Sequence, residues 1–260
     1  MLELNEIYCM DCLDGMKQLD NESVDLVVTS PPYDNLRQYN GYSFDFENVA
    51  KELYRVTKQG GVVVWIVNDA TKDYSESGTS FRQALGFIDI GFKLFDTMIW
   101  CKDGGGAVGS NLSYTQNFEY MFVLSKGKPK SVNLICDKKN LSFGKKDGCL
   151  TGRRNANGEH KSEIRNHNHE YSRRNNWWRL VPQAEEGSSF HPAVFPEILV
   201  RDHIISWSNE GDIVLDPFMG SGTTARVARK LNRHFVGFEL NPEYCKIIEK
   251  KIQVSGDLFY

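Results

Sequence analysis

The sequence predicts a doubly wound α/β fold with a mostly parallel sheet and one insertion. Three observations predict it. Short apolar runs recur along the chain at the length of buried strands. Helical patterns lie between some of them, and that alternation is what a sheet covered by helices requires. A basic, apolar-poor stretch from about Ser125 to Ser189 breaks the rhythm.

The strand-like runs cover residues 6–9, 24–29, 61–67, 96–100, 120–124, 213–215 and 235–238, and all read as buried parallel strands. Residues 46–57 carry Phe46, Val49, Ala50, Leu53 and Val56 on one helical face, with Gly60-Gly61 expected to end the helix. Residues 225–231 read as a short helix. Residues 242–254 read as another, with Asn241 as N-cap and Pro242 at the first helical position. The organisation expected is a first half over residues 1–125, an insertion over 126–189 and a second half over 190–260.

Composition is that of a globular protein, with 40% hydrophobic and 25% charged residues. No apolar run approaches the ~18 residues of a membrane span. The acidic start, Met1-Leu2-Glu3-Leu4-Asn5-Glu6, lacks the basic and apolar parts of a signal peptide. A cytoplasmic protein with no membrane partner is expected. Net charge is −3, but residues 126–180 hold 14 Lys and Arg against 5 Asp and Glu, while the rest holds 17 against 29. A compact basic segment on an acidic body is the footprint of a surface that meets a polyanion. Cys9 and Cys12 form a lone CxxC with no second pair, read as reduced, partly buried thiols rather than a metal site. Trp177-Trp178, after the basic run, reads as packing the insertion onto the core, with stacking on nucleic-acid bases as the alternative.

Two motifs carry chemistry. Asp216-Pro217-Phe218-Met219-Gly220-Ser221-Gly222-Thr223-Thr224 follows a strand and opens a helix. Glycines at such a turn admit tight backbone geometry and close approach of a ligand, and the helix start offers N–H groups to a carboxylate. Glu239 ends the next strand, at the offset where an acid meets ribose hydroxyls in dinucleotide folds. The second motif, Ser30-Pro31-Pro32-Tyr33, ends the apolar strand 24–29. Two prolines remove two backbone donors and stiffen the chain, leaving carbonyls for a ligand, and Tyr33 beyond them makes a stacking wall.

Together these motifs resemble the DNA amino-methyltransferases that make N4-methylcytosine or N6-methyladenine. In that family a [D/N/S]-P-P-[Y/F] motif is catalytic and an F-x-G-x-G motif binds S-adenosylmethionine (SAM). The catalytic motif comes first here, with a basic insertion between the two, as in the family's β group. Asp11 in Tyr8-Cys9-Met10-Asp11-Cys12-Leu13, the run His191-Pro192-Ala193-Val194-Phe195-Pro196, and Phe238-Glu239-Leu240-Asn241-Pro242 match further. The resemblance implies a circularly permuted, seven-stranded, Rossmann-like methyltransferase sheet, with the SAM strand and the Ser30 strand adjacent in its middle. The insertion takes the place of the family's target-recognition region.

The resemblance also assigns roles. Ser30 Oγ and the Pro31 carbonyl accept the hydrogens of the target amine, and Tyr33 stacks on the base. Asp11 accepts from the SAM adenine amine and Glu239 holds its ribose. Gly220, Ser221 and Gly222 receive its methionine end, Asp216 and Thr223 hold polar groups, and Phe218 lines the pocket. Arg153, Arg154, Arg173 and Arg174 are expected on DNA. The implied partner is double-stranded DNA, and a cognate restriction endonuclease and a homodimer fit the family. No metal is required. No Pro-Cys dipeptide occurs, so the thiolate of ring-carbon methylation is not in view. Serine at the first motif position, with Asp34-Asn35-Leu36-Arg37 after Tyr33, looks most like cytosine-N4 enzymes. Adenine-N6 methylation, RNA methylation on the same fold and a catalytically silent DNA-binding module stay open as alternatives.

Overall fold

The computed structural model describes residues 2–32, 44–102, 114–141, 143–144, 150–154, 157–158, 160–164, 169–181 and 196–248; for 150–154 and 160–164 it describes the backbone alone. In chain order, β1 (Glu6–Cys9), α1 (Cys12–Met16), β2 (Val24–Thr29), α2 (Phe46–Val56) and β3 (Thr57–Val67) come first. A small hairpin, β4 (Thr71–Lys72) and β5 (Ser75–Glu76), precedes α3 (Thr79–Ile90), β6 (Lys93–Lys102) and β7 (Phe118–Ser125). Then follow β8 (Lys138–Lys139), β9 (Leu150–Arg154), β10 (His160–Ile164), β11 (Tyr171–Ser172) and β12 (Trp177–Leu180). The chain continues through α4 (Glu197–Trp207), β13 (Ile213–Asp216), α5 (Thr223–Lys230) and β14 (His234–Glu239). Residues 242–248 are helical.

One sheet of eight strands, ordered β1-β14-β13-β2-β3-β7-β6-β12, organises the main body. The sequence predicts seven. The eighth is β12, which joins parallel to β6 from the far end of the insertion. The expectation that every run is parallel is also corrected: β7 runs antiparallel to both β3 and β6. An apolar run reports burial and not direction, so the sequence carried no signal for this reversal. The expected adjacency holds, since β2 lies parallel to β13, with Val27 opposite Leu215. β1 pairs parallel with β14, so the first strand and the last described strand are neighbours, as permutation demands.

Side chains alternate between the two faces of the sheet. Leu26, Val28, Val62 and Val64 pack with Leu199 and Ile204 of α4 and Val227 of α5. Val27, Val63 and Trp65 pack on the other face with Val49 and Leu53 of α2 and Phe87 of α3. Burying each such side chain stabilises the fold by about 1.5–3 kcal/mol. Asp45 caps α2 by accepting from Asn48 N–H, and the helix ends at Val56. Gly60-Gly61 therefore does not terminate it, contrary to expectation. Gly60, at φ +79°, lies inside β3, beside the register shift between Val24 and Leu26. At that shift residues 58–61 of β3 stand opposite Asp25 alone, and glycine adopts the left-handed backbone there without strain.

The chain divides into two compact units, residues Met1–Asn133 with Asn176–Tyr260, and residues Leu134–Asn175. In the first, Trp178 is buried and stacks on His203 of α4 at 4.5 Å, whereas Trp177 is half exposed. In the second, β9 and β10 form an antiparallel ribbon with Arg153 opposite Lys161 and Arg154 opposite His160. β8 pairs with β11 there. Among the described residues the cysteines form no disulfide; Cys12 is buried and Cys9 exposed. Among the described residues, no helix is long and apolar enough to cross a membrane.

Candidate functional site

Parallel strands that share an edge present their C-terminal ends together, and open α/β sheets bind ligands there. Four of the strand ends at this edge carry the motifs. β2 delivers Thr29 and Ser30, β13 delivers Asp216, β14 delivers Glu239, and β1 leads into Asp11.

Asp216 is the best-buried acid of the group. Its Oδ1 accepts from Thr29 Oγ1 at 2.6 Å and from the Phe218 N–H at 3.0 Å. Burial pushes its carboxyl up to about 6; the Thr29, Thr224 and Phe218 donors pull the other way, and the Glu239 charge adds to the rise. Ser30 follows Thr29 directly, so one hydrogen bond ties the cofactor-type turn to the proline motif. Pro31 is buried, and Ser30 and Pro32 are half-buried. Tyr33 lies outside the described residues, as do Asp34–Arg37 and 191–195 of the matching run.

The glycine turn has the backbone that its sequence demands. Gly220 and Gly222 sit at φ +55° and +80°, where a side chain is strained. Gly222 is the residue before α5, and a Cβ there would meet Ile248 Cγ2 at 2.5 Å. Glu239 spans the turn: its Oε2 accepts from Gly220 N–H and its Oε1 from Asn241 N–H, both at 2.8 Å. Burial raises the Glu239 carboxyl, and those backbone donors oppose the rise. Each oxygen retains a second lone pair for a hydroxyl donor. Asp11 accepts from Leu13 N–H at 2.8 Å and caps α1, two residues beyond Cys9, which pairs with Glu239. Thr223 is buried, and its hydroxyl lies 3.1 Å from that of Ser221. Phe218 is half-buried, with its ring edge-on to Phe44 at 5.5 Å and near Trp65 at 6.3 Å.

Asp11 and Glu239 thus end adjacent strands beside a left-handed glycine turn. Two acceptor carboxylates suit a ligand with an amine and a vicinal diol, which is the donor set of SAM's adenosine. Three supporting residues escaped the sequence reading: Thr29 and Thr224, which hold Asp216, and Trp65, which backs Phe218. The available signal was Thr29 itself, a hydroxyl ending a fully buried strand, whose polar group needs a partner. Of the arginines expected on DNA, Arg173 is exposed, whereas Arg174 donates through Nε to Asp137 Oδ2 at 2.9 Å and holds that carboxyl below its ordinary range. The side chains of Arg153 and Arg154 lie outside the described set.

The chain matches the family model described as DNA methylase over residues 24–250. It is 52% identical over 241 residues to the orphan methyltransferase M.BamHII of Bacillus amyloliquefaciens, covering 89% of each chain. It is 30% identical over 274 residues to the DNA adenine methyltransferase YhdJ of Escherichia coli K12, covering 98% of this chain and 84% of that one. Among solved structures, the cytosine-N4-specific PvuII DNA methyltransferase superposes with a TM-score of 0.69 at 21% identity, covering 97% of this chain and 91% of its own.

Proposed function

This chain belongs to the N6/N4 DNA methylase family, the SAM-dependent enzymes that methylate an exocyclic amine of DNA, and from that premise we propose that its target is the N4 amine of cytosine. One observation carries the choice of base: serine opens the Ser30–Tyr33 motif, as in the cytosine-N4 enzymes it resembles. A second reading, the N6 amine of adenine, is supported by the likeness to an enzyme named as an adenine methyltransferase across 98% of this chain.

The amine's lone pair is delocalised into the base ring, which makes it a poor nucleophile. Ser30 Oγ and the Pro31 carbonyl accept its two hydrogens and draw the lone pair out of the ring. They stabilise the charge that develops on nitrogen more than they stabilise the resting amine, so they lower the barrier. Tyr33 stacks on the base, which leaves the duplex at a cost of a few kcal/mol. SAM supplies an electrophilic methyl carbon on its sulfonium. Gly220 and Gly222 receive its methionine end, with Ser221, Thr223 and Asp216 around its polar groups. Glu239 accepts from its ribose and Asp11 from its adenine. Phe218 lines the pocket. Transfer in line depends on this positioning. The deciding experiment incubates the protein with SAM and mixed-sequence DNA, digests the product to nucleosides and reads them by mass spectrometry. N4-methylcytosine supports the proposal, N6-methyladenine replaces it with the second reading, and no methylated nucleoside rejects both.

A further inference from the structure

The edge of the sheet that carries Asp11 and Glu239 also carries two cysteines outside the methyl-transfer machinery. Successive side chains of a strand point to opposite faces of the sheet, so Cys9 lies on the face of Ile7 and not on that of Tyr8. Ile7 packs with the core cluster that contains Ile248, whereas Tyr8 and Cys12 pack with the cluster on the other face. After β14 the chain turns at Asn241, whose Oδ1 accepts from Glu243 N–H at 2.9 Å, and runs as a helix over residues 242–248. Cys245 and Ile248 are three apart on that helix, so they share the face that covers the sheet, and both are buried. The Cys245 thiol donates to the Glu239 carbonyl at 3.5 Å, and Glu239 is the residue opposite Cys9 in the β1–β14 ladder. The Cys9 and Cys245 thiols meet there in a hydrogen-bonded contact. Sequence spacing pairs Cys9 with Cys12; the alternation of β1 pairs it with Cys245, from the far end of the chain.

We propose that Cys9 and Cys245 are a thiol pair that hydrogen peroxide converts to a disulfide, and that this bridge weakens SAM binding. Cys9 is exposed and Cys245 buried, so the oxidant meets Cys9 first. Burial pushes the Cys245 thiol up to about 12, and the Cys9 contact and the Glu239 charge add to the rise, so Cys245 stays protonated until it attacks. The Cys9 sulfur attacks one oxygen of the peroxide. An S–O bond forms, the O–O bond breaks, and the departing oxygen takes the thiol proton and leaves as water. The Cys245 sulfur then attacks the Cys9 sulfur. The S–S bond forms, the S–O bond breaks, and hydroxide leaves as water with the Cys245 proton. Both thiols are oxidised and the peroxide is reduced to water; a dithiol reverses the step. Bridged sulfurs stand about 2.05 Å apart, well inside the separation of two hydrogen-bonded thiols, and the S–H that Glu239 accepted is gone. The bridge therefore draws the end of β1 against the helix and shifts Glu239 and, two residues beyond Cys9, Asp11. Displacing one of these acceptors from the ligand is expected to cost roughly tenfold in SAM affinity. That effect rests on the proposed placement of SAM's adenosine at Asp11 and Glu239; formation of the bridge does not.

The test treats the full-length protein with hydrogen peroxide, maps its peptides under non-reducing conditions by mass spectrometry, and measures SAM affinity by calorimetry before and after. The expected result is a linked Cys9–Cys245 peptide pair and roughly tenfold weaker SAM binding, both reversed by dithiothreitol. Cys9→Ser, altered at an exposed position, is expected to bind SAM like the wild type and to keep that affinity through the treatment. Cys12→Ala is expected to form the bridge as the wild type does. Absence of the bridge, a Cys9–Cys12 bridge in its place, or an equal loss of affinity in treated Cys9→Ser overturns the proposal. Reduced Glu239→Ala separates the switch from the site. If it loses SAM affinity while the bridged wild type does not, the switch fails and the placement stands. If it binds SAM like the wild type, the placement fails and takes the effect of the bridge on SAM with it.

Discussion

At the scale of single residues, the division of labour between Ser30 and Asp216 is testable. Ser30→Ala removes one proposed acceptor of the amine while leaving the glycine turn intact. Methyl transfer is expected to fall about 10²–10³-fold, the loss typical for one transition-state hydrogen bond, with SAM affinity near wild type. Single-turnover kinetics beside calorimetry check it, and a parallel loss of SAM affinity would move Ser30 to the cofactor. Asp216 acts through its burial. Its folded pKa of about 6 lies above the ordinary aspartate value. A raised acid contributes stability that is fully present below its unfolded pKa and is lost as pH rises through the folded one. Asp216→Asn stays neutral throughout. The stability of wild type relative to Asp216→Asn is therefore expected to fall by about 3 kcal/mol between pH 3.5 and pH 8, the equivalent of about two pKa units. Denaturant titrations of both proteins across that range measure it; parallel pH profiles would mean that Asp216 ionises freely.

At the scale of elements, the turn from β13 into α5 is held by geometry that substitution exposes. Gly222 is at φ +80°, and a Cβ there meets Ile248, which is itself buried. Gly222→Ala is expected to destabilise the protein by roughly 1–3 kcal/mol through backbone strain and overpacking, and to weaken SAM binding as the turn shifts. Thermal melts and calorimetry read the two effects; wild-type values in both would show that the turn relaxes freely. The strand order belongs to this scale as well. The strands 6–9 and 24–29 were legible to the residue, because turn residues bound each apolar run. The helices α1, α3 and α4 were not anticipated. α1 is five residues long, and α3 and α4 carry apolar side chains on more than one face, which blurs the 3.6-residue period that reveals a helix.

For the whole molecule, charge distribution is expected to govern how DNA is held. Residues 126–180 gather the basic excess, and neutralising a phosphate releases counterions, so log affinity falls with log salt at a slope of about −0.9 per phosphate. Replacing Arg153, Arg154, Arg173 and Arg174 by Ala is expected to flatten that slope and weaken DNA binding while SAM binding survives. The four residues are not equivalent. Arg174 is engaged with Asp137, so Arg173→Ala is expected to flatten the slope more than Arg174→Ala. Binding measured at several salt concentrations checks this, and an unchanged slope in the fourfold variant would place DNA elsewhere.

The sequence by itself determined the α/β class and the strands that carry Ser30, Asp216 and Glu239. Those features are local: burial makes a run apolar, a left-handed turn needs glycine, and a proline pair ends a strand. Only the tertiary structure decided what depends on contacts between distant residues. The direction of β7, the recruitment of β12 to the sheet edge and the register shift beside Gly60 follow from strand pairing, which leaves no mark on either strand alone. Thr29 bonds to Asp216 across 187 positions of sequence, and the burial of that pair lifts the carboxylate out of its ordinary range while the bond itself opposes the rise. Hydrophobic pattern specifies which residues go inside; the partner each polar group finds there is a property of the packed whole.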